Sequence, residues 1–302
     1  MAAVNLKEIR RELSESRSRL AFVIGNGINR YQSDTPTWED MLLHLYHLVT
    51  GNELNSIEKG ILYTEFYNLL QVDGETTEQL RQEVIAYTNQ HYKPTAYHNQ
   101  LQRILMGWQV PVLTTNFDNC LEQGCSMYRM KNLDGPSRRF TDYYPWEVYY
   151  SNHRLTDPLN GFGVWHINGM TKYRRSIRLS LSEYINQTSR ASKFIHSDES
   201  LMNFDRKNKV FWNGYNTWLH VFFNTHLCIF GLGLDVNETF LRWMMIERER
   251  YFRKFPDRRM KGWFIYTKKD QMEAGKRLFL QSTGFEEVLL NDYEDMYEGI
   301  FG

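Results

Sequence analysis

Four short stretches hold the residues most able to do chemistry. Gly25-Asn26-Gly27-Ile28-Asn29 follows five apolar residues, Leu20 to Ile24, enough for one strand buried on both faces. A strand running into Gly-x-Gly brings backbone close to a ligand and aims N–H groups at a phosphate, so the chemistry pointed to is nucleotide binding. The dinucleotide fingerprint is incomplete, because Arg30 stands where a third Gly or Ala belongs; alone, the stretch reads more readily as a plain strand and turn. Thr114-Thr115-Asn116-Phe117-Asp118, His166-Ile167-Asn168-Gly169 and Gly231-Leu232-Gly233-Leu234-Asp235 each end a further apolar run. Ligands of open α/β sheets bind outside the carboxyl ends of the strands, where all four stretches fall.

The elements that must position them alternate between strand and helix. Leu6, Ile9 and Leu13 give residues 4 to 18 an amphipathic helix ahead of the first strand. Thr35 or Thr37 beside Pro36 starts a helix carrying Met41, Leu42, Leu45 and Leu48, and helical patterns continue to residue 106. Further strands fall at Val110–Thr114, Phe162–Ile167, Leu227–Phe230, Trp263–Tyr266 and Val288–Leu290. A helix is expected after Asp118, capped by Asn116 or Asp118, with Cys120, Leu121 and Met127 inward. Residues 129 to 160 read as a long ordered loop and 176 to 222 as a mostly helical segment. Asp235-x-x-Glu238 has capping-box spacing for the helix through Met244 and Met245. The fold class is therefore α/β, a Rossmann-like parallel sheet of about six strands flanked by helices. A helical module, roughly 40–106, is inserted in what reads as a single domain, 1–302.

Composition excludes several classes. Lys+Arg and Asp+Glu both number 36, so no global field favours nucleic acid or an anionic membrane. Cys120, Cys125 and Cys228 form no C-x-x-C pair, which gives neither a zinc ribbon nor a disulfide framework. The charged amino-terminus is no signal peptide and no run reaches membrane-spanning length, so a cytoplasmic protein without a membrane partner is expected. Aromatic residues at 15% together with long helical insertions should expose apolar patches, which predicts a homo-oligomer.

Plainer readings stand beside the chemical ones. Asn116 and Asp118 also suit helix caps, His166 a core histidine, and Gly231 and Gly233 close helix–strand packing. His44 and His47 lack the further ligands a metal needs. Tyr143 to Tyr150 reads as packing, since no basic groove accompanies a stacking platform. Glu247 to Arg250 with Arg253 and Lys254 reads as a solvated helix face.

Taken together, and in order along nearly the whole chain, these stretches resemble the sirtuin family, specifically the sirtuin-like domains of bacterial antiphage defence proteins. The Gly-Ala-Gly-x-Ser of sirtuins stands here as Gly25-Asn26-Gly27-Ile28-Asn29, and Thr-Gln-Asn-x-Asp as Thr114-Thr115-Asn116-Phe117-Asp118, followed by Leu121-Glu122. The His-Gly strand end is similar to His166-Ile167-Asn168-Gly169, the late glycine loop to Gly231-Leu232-Gly233, and Pro36-Thr37-Trp38 to the proline–tryptophan segment of the defence relatives. The resemblance implies cleavage of the nicotinamide–ribose bond of NAD by an antiviral hydrolase, an NADase, with a partner subunit of a defence system. It implies that Asn116 orders ribose and water and that Asp118 lies on the nicotinamide side, with Thr115 and Asn168 beside them. Gly25, Asn26 and Gly27 would cradle the diphosphate, Asn29 and Arg30 would sit near ribose and phosphate, and Gly231 and Gly233 would touch NAD. Two departures matter: the zinc-binding cysteines of the deacylating members are absent, which implies no zinc, and Asn168 stands where the family has its histidine base. His166, two positions earlier on the same strand face, is the replacement expected, an imidazole having an ordinary pKa of about 6.5, near neutrality. An inactive NAD- or ADP-ribose-binding or assembly module is the alternative, and a zinc-free deacylase a third reading.

Overall fold

The computed structural model describes residues 5–72, 76–123, 127–131, 146–207 and 212–302; Cys125 and residues 132–145 of the expected long loop lie outside them. Helix α1 (Leu6–Ser16) leads into β1 (Leu20–Ile24), and a single turn, α2 (Gly27–Arg30), follows the first glycine loop. Four helices come next, α3 (Trp38–Thr50), α4 (Tyr63–Val72), α5 (Thr77–His91) and α6 (Ala96–Trp108). The chain continues through β2 (Val112–Thr114), β3 (Tyr128–Lys131), β4 (Val148–Ser151), β5 (Val164–His166), α7 (Leu181–His196) and α8 (Trp218–Asn224). It closes with β6 (His226–Phe230), α9 (Thr239–Lys254), β7 (Gly262–Thr267), α10 (Ala274–Ser282), β8 (Glu286–Leu290) and α11 (Tyr293–Tyr297).

The strands form one sheet in the order β3-β4-β5-β2-β1-β6-β7-β8. The six expected from apolar runs are its parallel part, and β1, buried throughout, lies between β2 and β6. Alternation splits the sheet into two faces. Ala21 and Val23 join Leu113, Trp165, Ile229 and Phe264 under α7, α8 and α9. Leu20, Phe22 and Ile24 join Val112, Val164, Phe230 and Ile265 under α1, α6 and α11. Helices α3, α4 and α5 share a smaller core of their own, through Met41, Leu42, Leu45, Tyr67, Leu70 and Val84, closed by Ile177 and Leu179. Helix α6 instead lays Tyr97, Leu101 and Leu105 on the sheet.

Four expectations are corrected. Part of the 129–160 loop is strand: β3 pairs antiparallel with β4, and β4 antiparallel with β5, because the open edge of β5 supplies a partner that local sequence does not reveal. No helix follows Asp118 through residue 123; Asp118 Oδ1 accepts the Cys120 N–H at 2.9 Å and holds a turn instead. Asp235 likewise bonds the Asn237 N–H at 2.7 Å rather than closing a capping box, and α9 starts after Glu238. On α9, Glu247 and Arg248 are buried rather than solvated. The Arg248 guanidinium donates to the carbonyls of Phe222, Thr225, Met260 and Lys261, which satisfies it without a carboxylate.

Candidate active site

Register brings the four loops to one level. Ile24 pairs with Thr114 and with Phe230, and Thr114 pairs with His166, so the loops leave the sheet from one row of residues. The row includes the point where the chain turns from the β2 side of β1 to the β6 side, the place where such sheets bind ligands. A cleft of about 980 Å³ opens there, at the upper end of the roughly 300–1,000 Å³ common for small-molecule sites. Asn26, Gly27, Arg30, Thr115, Asn116, Asp118, Asn168, Gly231 and Gly233 line it; Gly25, Asn29 and His166 do not.

The glycines serve the meeting of two loops. Gly27 N–H donates to Gly231 O at 2.7 Å and Gly25 N–H to Phe230 O at 3.4 Å, so these two amides are spent on the neighbouring loop rather than turned outward. A Cβ on Gly27 would collide with the Tyr297 hydroxyl and lie 2.7 Å from Gly231 Cα, while one on Gly25 would lie 2.7 Å from Gly231 O. Gly231 itself has φ +64°, a left-handed conformation that favours glycine. Asn26 Nδ2 (3.1 Å) and Tyr92 Oη (2.9 Å) both donate to Pro36 O, tying the segment before α3 to the first loop.

Beneath the cleft, Asn29 is fully fixed. Thr95 N–H donates to His98 Nδ1 at 3.1 Å, so the neutral ring carries its proton on Nε2 and gives it to Asn29 Oδ1 at 2.8 Å. Asn29 Nδ2 then donates to Asp118 Oδ2 at 2.7 Å and to Asn26 Oδ1 at 2.9 Å. Burial pushes the His98 pKa down against the pull of the Asp118 carboxylate, which keeps the ring neutral. The sequence reading missed His98; its one local signal is the histidine three residues after Thr95 in the first turn of α6.

His166 lies behind the cleft, 1% exposed. Its Nδ1 faces Asn116 O at 2.9 Å and its Nε2 the Glu122 carboxylate, two acceptors that together favour the protonated ring. Burial lowers its pKa, but the Glu122 charge and bond outweigh it, and the pKa is raised. Outside the cleft lining and with both ring nitrogens taken, His166 does not face a ligand there as this structure stands. What it does is fix the backbone of Asn116, whose Nδ2 donates to Gly25 O at 3.2 Å. With the amide nitrogen pinned, the amide oxygen is what Asn116 offers a ligand.

Two lining atoms, Asn168 Oδ1 and Trp38 Nε1, are buried without a hydrogen-bond partner among the described residues. Each such group costs about 1–3 kcal/mol, which a ligand supplying the complementary atom would recover. Glu238, a further lining residue outside the expected site, has its carboxyl pushed up to about 7 by burial and by the Asp235 charge. Arg30, Lys269 and Lys276 place cations along the cleft. Among the described residues no group of three His, Cys, Asp or Glu side chains is arranged to hold a metal, and no helix is long and apolar enough to cross a membrane. The chain matches no model of a known protein family and no curated protein sequence.

Proposed function

We propose that the chain is a sirtuin-like NAD glycohydrolase, converting NAD and water to nicotinamide, ADP-ribose and a proton. The observation that carries this reading is the convergence of four strand-end loops, level in register, on one cleft lined by Asn116, Asp118 and Asn168. Its place as a cytoplasmic effector of bacterial antiphage defence rests on the family resemblance.

The nicotinamide of NAD is bound as a cation and leaves neutral, so its departure needs no acid. The barrier is the oxocarbenium character that develops on the ribose, as in glycoside hydrolysis. Asp118, with both oxygens held by Cys120 N–H and Asn29, supplies a fixed negative charge against it. The Asn116 amide oxygen orients a ribose hydroxyl or the attacking water. Glu238, its carboxyl near 7, is matched to take the proton the water gives up. Arg30, a cation lining the cleft, would pair with the diphosphate, and Gly231 and Gly233 would let backbone approach it.

Incubation of the purified chain with NAD, following nicotinamide and ADP-ribose by chromatography, tests the reading. Equimolar products are expected from the chain alone or isolated from phage-challenged cells; none in the challenged state overturns it. One observation favours the second reading, an NAD- or ADP-ribose-binding module without turnover: Asn168 holds the family's histidine position while His166 is locked on Glu122. Calorimetry showing tight NAD binding with no turnover in either state would establish it. The reading includes a homo-oligomer, since α3 and α4 leave Leu48, Leu69 and Val72 exposed. Light scattering that returns only a 36.2 kDa species refutes that part.

A further inference from the structure

A second cavity, of about 290 Å³, lies between α5, α7 and the connection from β5 to α7, and none of its lining residues is shared with the cleft. Arg81 comes from α5, Arg190 from α7, and Arg175 and Arg178 from the connection; Asn186, Gln187, Trp146 and Glu183 complete it. Glu183 is its single carboxylate among the described residues. One oxygen pairs with Arg81, and the other accepts the N–H groups of Leu179 at 2.9 Å and Ser180 at 3.1 Å, closing the capping box of α7. Glu78 nearby is taken by Arg174.

Three guanidiniums, those of Arg81, Arg178 and Arg190, therefore line a cavity in which Glu183, paired with Arg81, is the one carboxylate among the described residues. The Arg81 Nε–H is buried and has no partner among the described residues. Arg178 donates Nη1–H to the Arg175 carbonyl at 3.1 Å. Burial and the charges of Arg81 and Arg190 push its pKa down to about 10, the mark of a guanidinium held against like charge. Gathering cations around a cavity raises the energy of the folded chain, and the cluster is relieved by an anion that takes several N–H groups at once. Planar guanidiniums match phosphate oxygens in pairs.

We propose that this cavity is a second binding site, for a small ligand carrying a phosphate or diphosphate group. Its volume falls just below the usual range for drug-sized ligands and suits a diphosphate or a single nucleotide. The site stands directly behind the cleft, because Arg178 N–H donates to Asn168 O at 3.0 Å and Gln187 Nε2 to Ile167 O at 2.7 Å.

Titration calorimetry of the full chain with inorganic pyrophosphate, and separately with ADP, at low ionic strength and without NAD tests the assignment. Saturable pyrophosphate binding that weakens with salt is expected. It should fall about tenfold or more in Arg190→Gln, an exposed position, and in Arg178→Gln, while Lys254→Gln, exposed at the end of α9 and lining neither cavity, leaves it unchanged. Tighter binding of ADP than of pyrophosphate, lost in the same two variants, identifies a nucleotide site; equal binding identifies a diphosphate site. In the ligand-free chain, Arg178→Met should melt no lower than the unmodified protein, because it removes a cation from a like-charged cluster. No saturable pyrophosphate binding overturns the proposal, as does loss in Lys254→Gln with retention in Arg190→Gln. The readout is independent of turnover, so NAD hydrolysis and this site fail separately.

Discussion

Asn29 Nδ2 donates to Asp118 Oδ2 at 2.7 Å, so the first strand-end loop holds the carboxylate of the second. The amide can do this in one orientation only, because its oxygen is taken by the Nε2–H of His98. His98→Phe leaves that oxygen buried without a donor, at about 1–3 kcal/mol, and releases Asp118; a lower melting temperature and a lower kcat are expected together. Asn29→Asp sets a second carboxylate against Asp118, and two such groups do not both ionise easily. NAD cleavage by this variant should rise only at higher pH than in the unmodified chain. A pH–rate profile that does not move refutes the role of the contact.

Asn116→Ala removes the amide oxygen from the cleft and one 3.2 Å bond to Gly25 O. Loss of a preorganised polar group of this kind costs about 10²–10³ in rate, against about 1 kcal/mol of stability for the bond. Glu238→Gln keeps the shape and removes the proton acceptor, for an expected loss of about 10² or more. Full turnover in a stable Asn116→Ala chain would overturn the site.

These residues differ in how far the sequence discloses them. The six parallel strands are local apolar runs, and the residues at their ends follow from where the runs stop. His98 lies 69 positions from Asn29 and meets it only because α6 folds back over β1, so no spacing rule reaches it. Strand alternation would put His166 and Asn168 on one face, but β5 ends at His166 and Asn168 stands in the turn beyond it. His166 is still within the sheet, paired through Thr114, while Asn168 has passed its edge into the cleft. Antiparallel β3 and β4 are legible only once the edge of β5 exists to receive them.

The His166–Glu122 pair should govern alkaline stability. His166 has a folded pKa above its ordinary value, so its contribution is fully present below about pH 6.5 and is lost as pH rises through the folded pKa. His166→Ala leaves the Glu122 carboxylate buried alone, for a loss of about 3–5 kcal/mol. The double change His166→Leu with Glu122→Leu should recover much of it and flatten the alkaline slope. Melting temperatures from pH 6 to 9 check this; a single variant as stable as the unmodified chain would contradict the pairing.

His220 acts in the opposite direction. Its buried ring accepts from Trp212 Nε1 at 2.9 Å and from Asn224 Nδ2 at 3.1 Å, and burial, with the Arg206 charge, pushes its pKa down to about 3. The unfolded chain binds a proton below about pH 6.5 that the folded one refuses. Stability from this group is therefore whole above that pH and lost as pH falls toward 3. His220→Gln should reduce the slope of stability between pH 6 and 4 by about 1.4 kcal/mol per pH unit. Denaturant titrations at three pH values in that window measure it, and parallel slopes for both proteins would disprove it.

The late glycine loop separates packing from ligand contact within three residues. At Gly231, φ is +64° and a Cβ would stand 3.2 Å from the Tyr297 hydroxyl and 3.4 Å from Ile28 N, so Gly231→Ala strains the backbone and pushes α11 off the first loop. A cost of about 1–3 kcal/mol is expected, with both stability and activity reduced. At Gly233 the backbone is ordinary, and the nearest atom to an added Cβ is Asp235 Oδ2 at 4.0 Å. Gly233→Ala should therefore melt with the unmodified chain, yet its methyl enters the cleft that Gly233 lines. If the loop lies against the diphosphate, KM for NAD rises in Gly233→Ala with little change in kcat, because the methyl acts on ground and transition states alike. An unchanged KM in a stably folded Gly233→Ala chain would take NAD away from this loop and leave Gly231 as a packing residue alone.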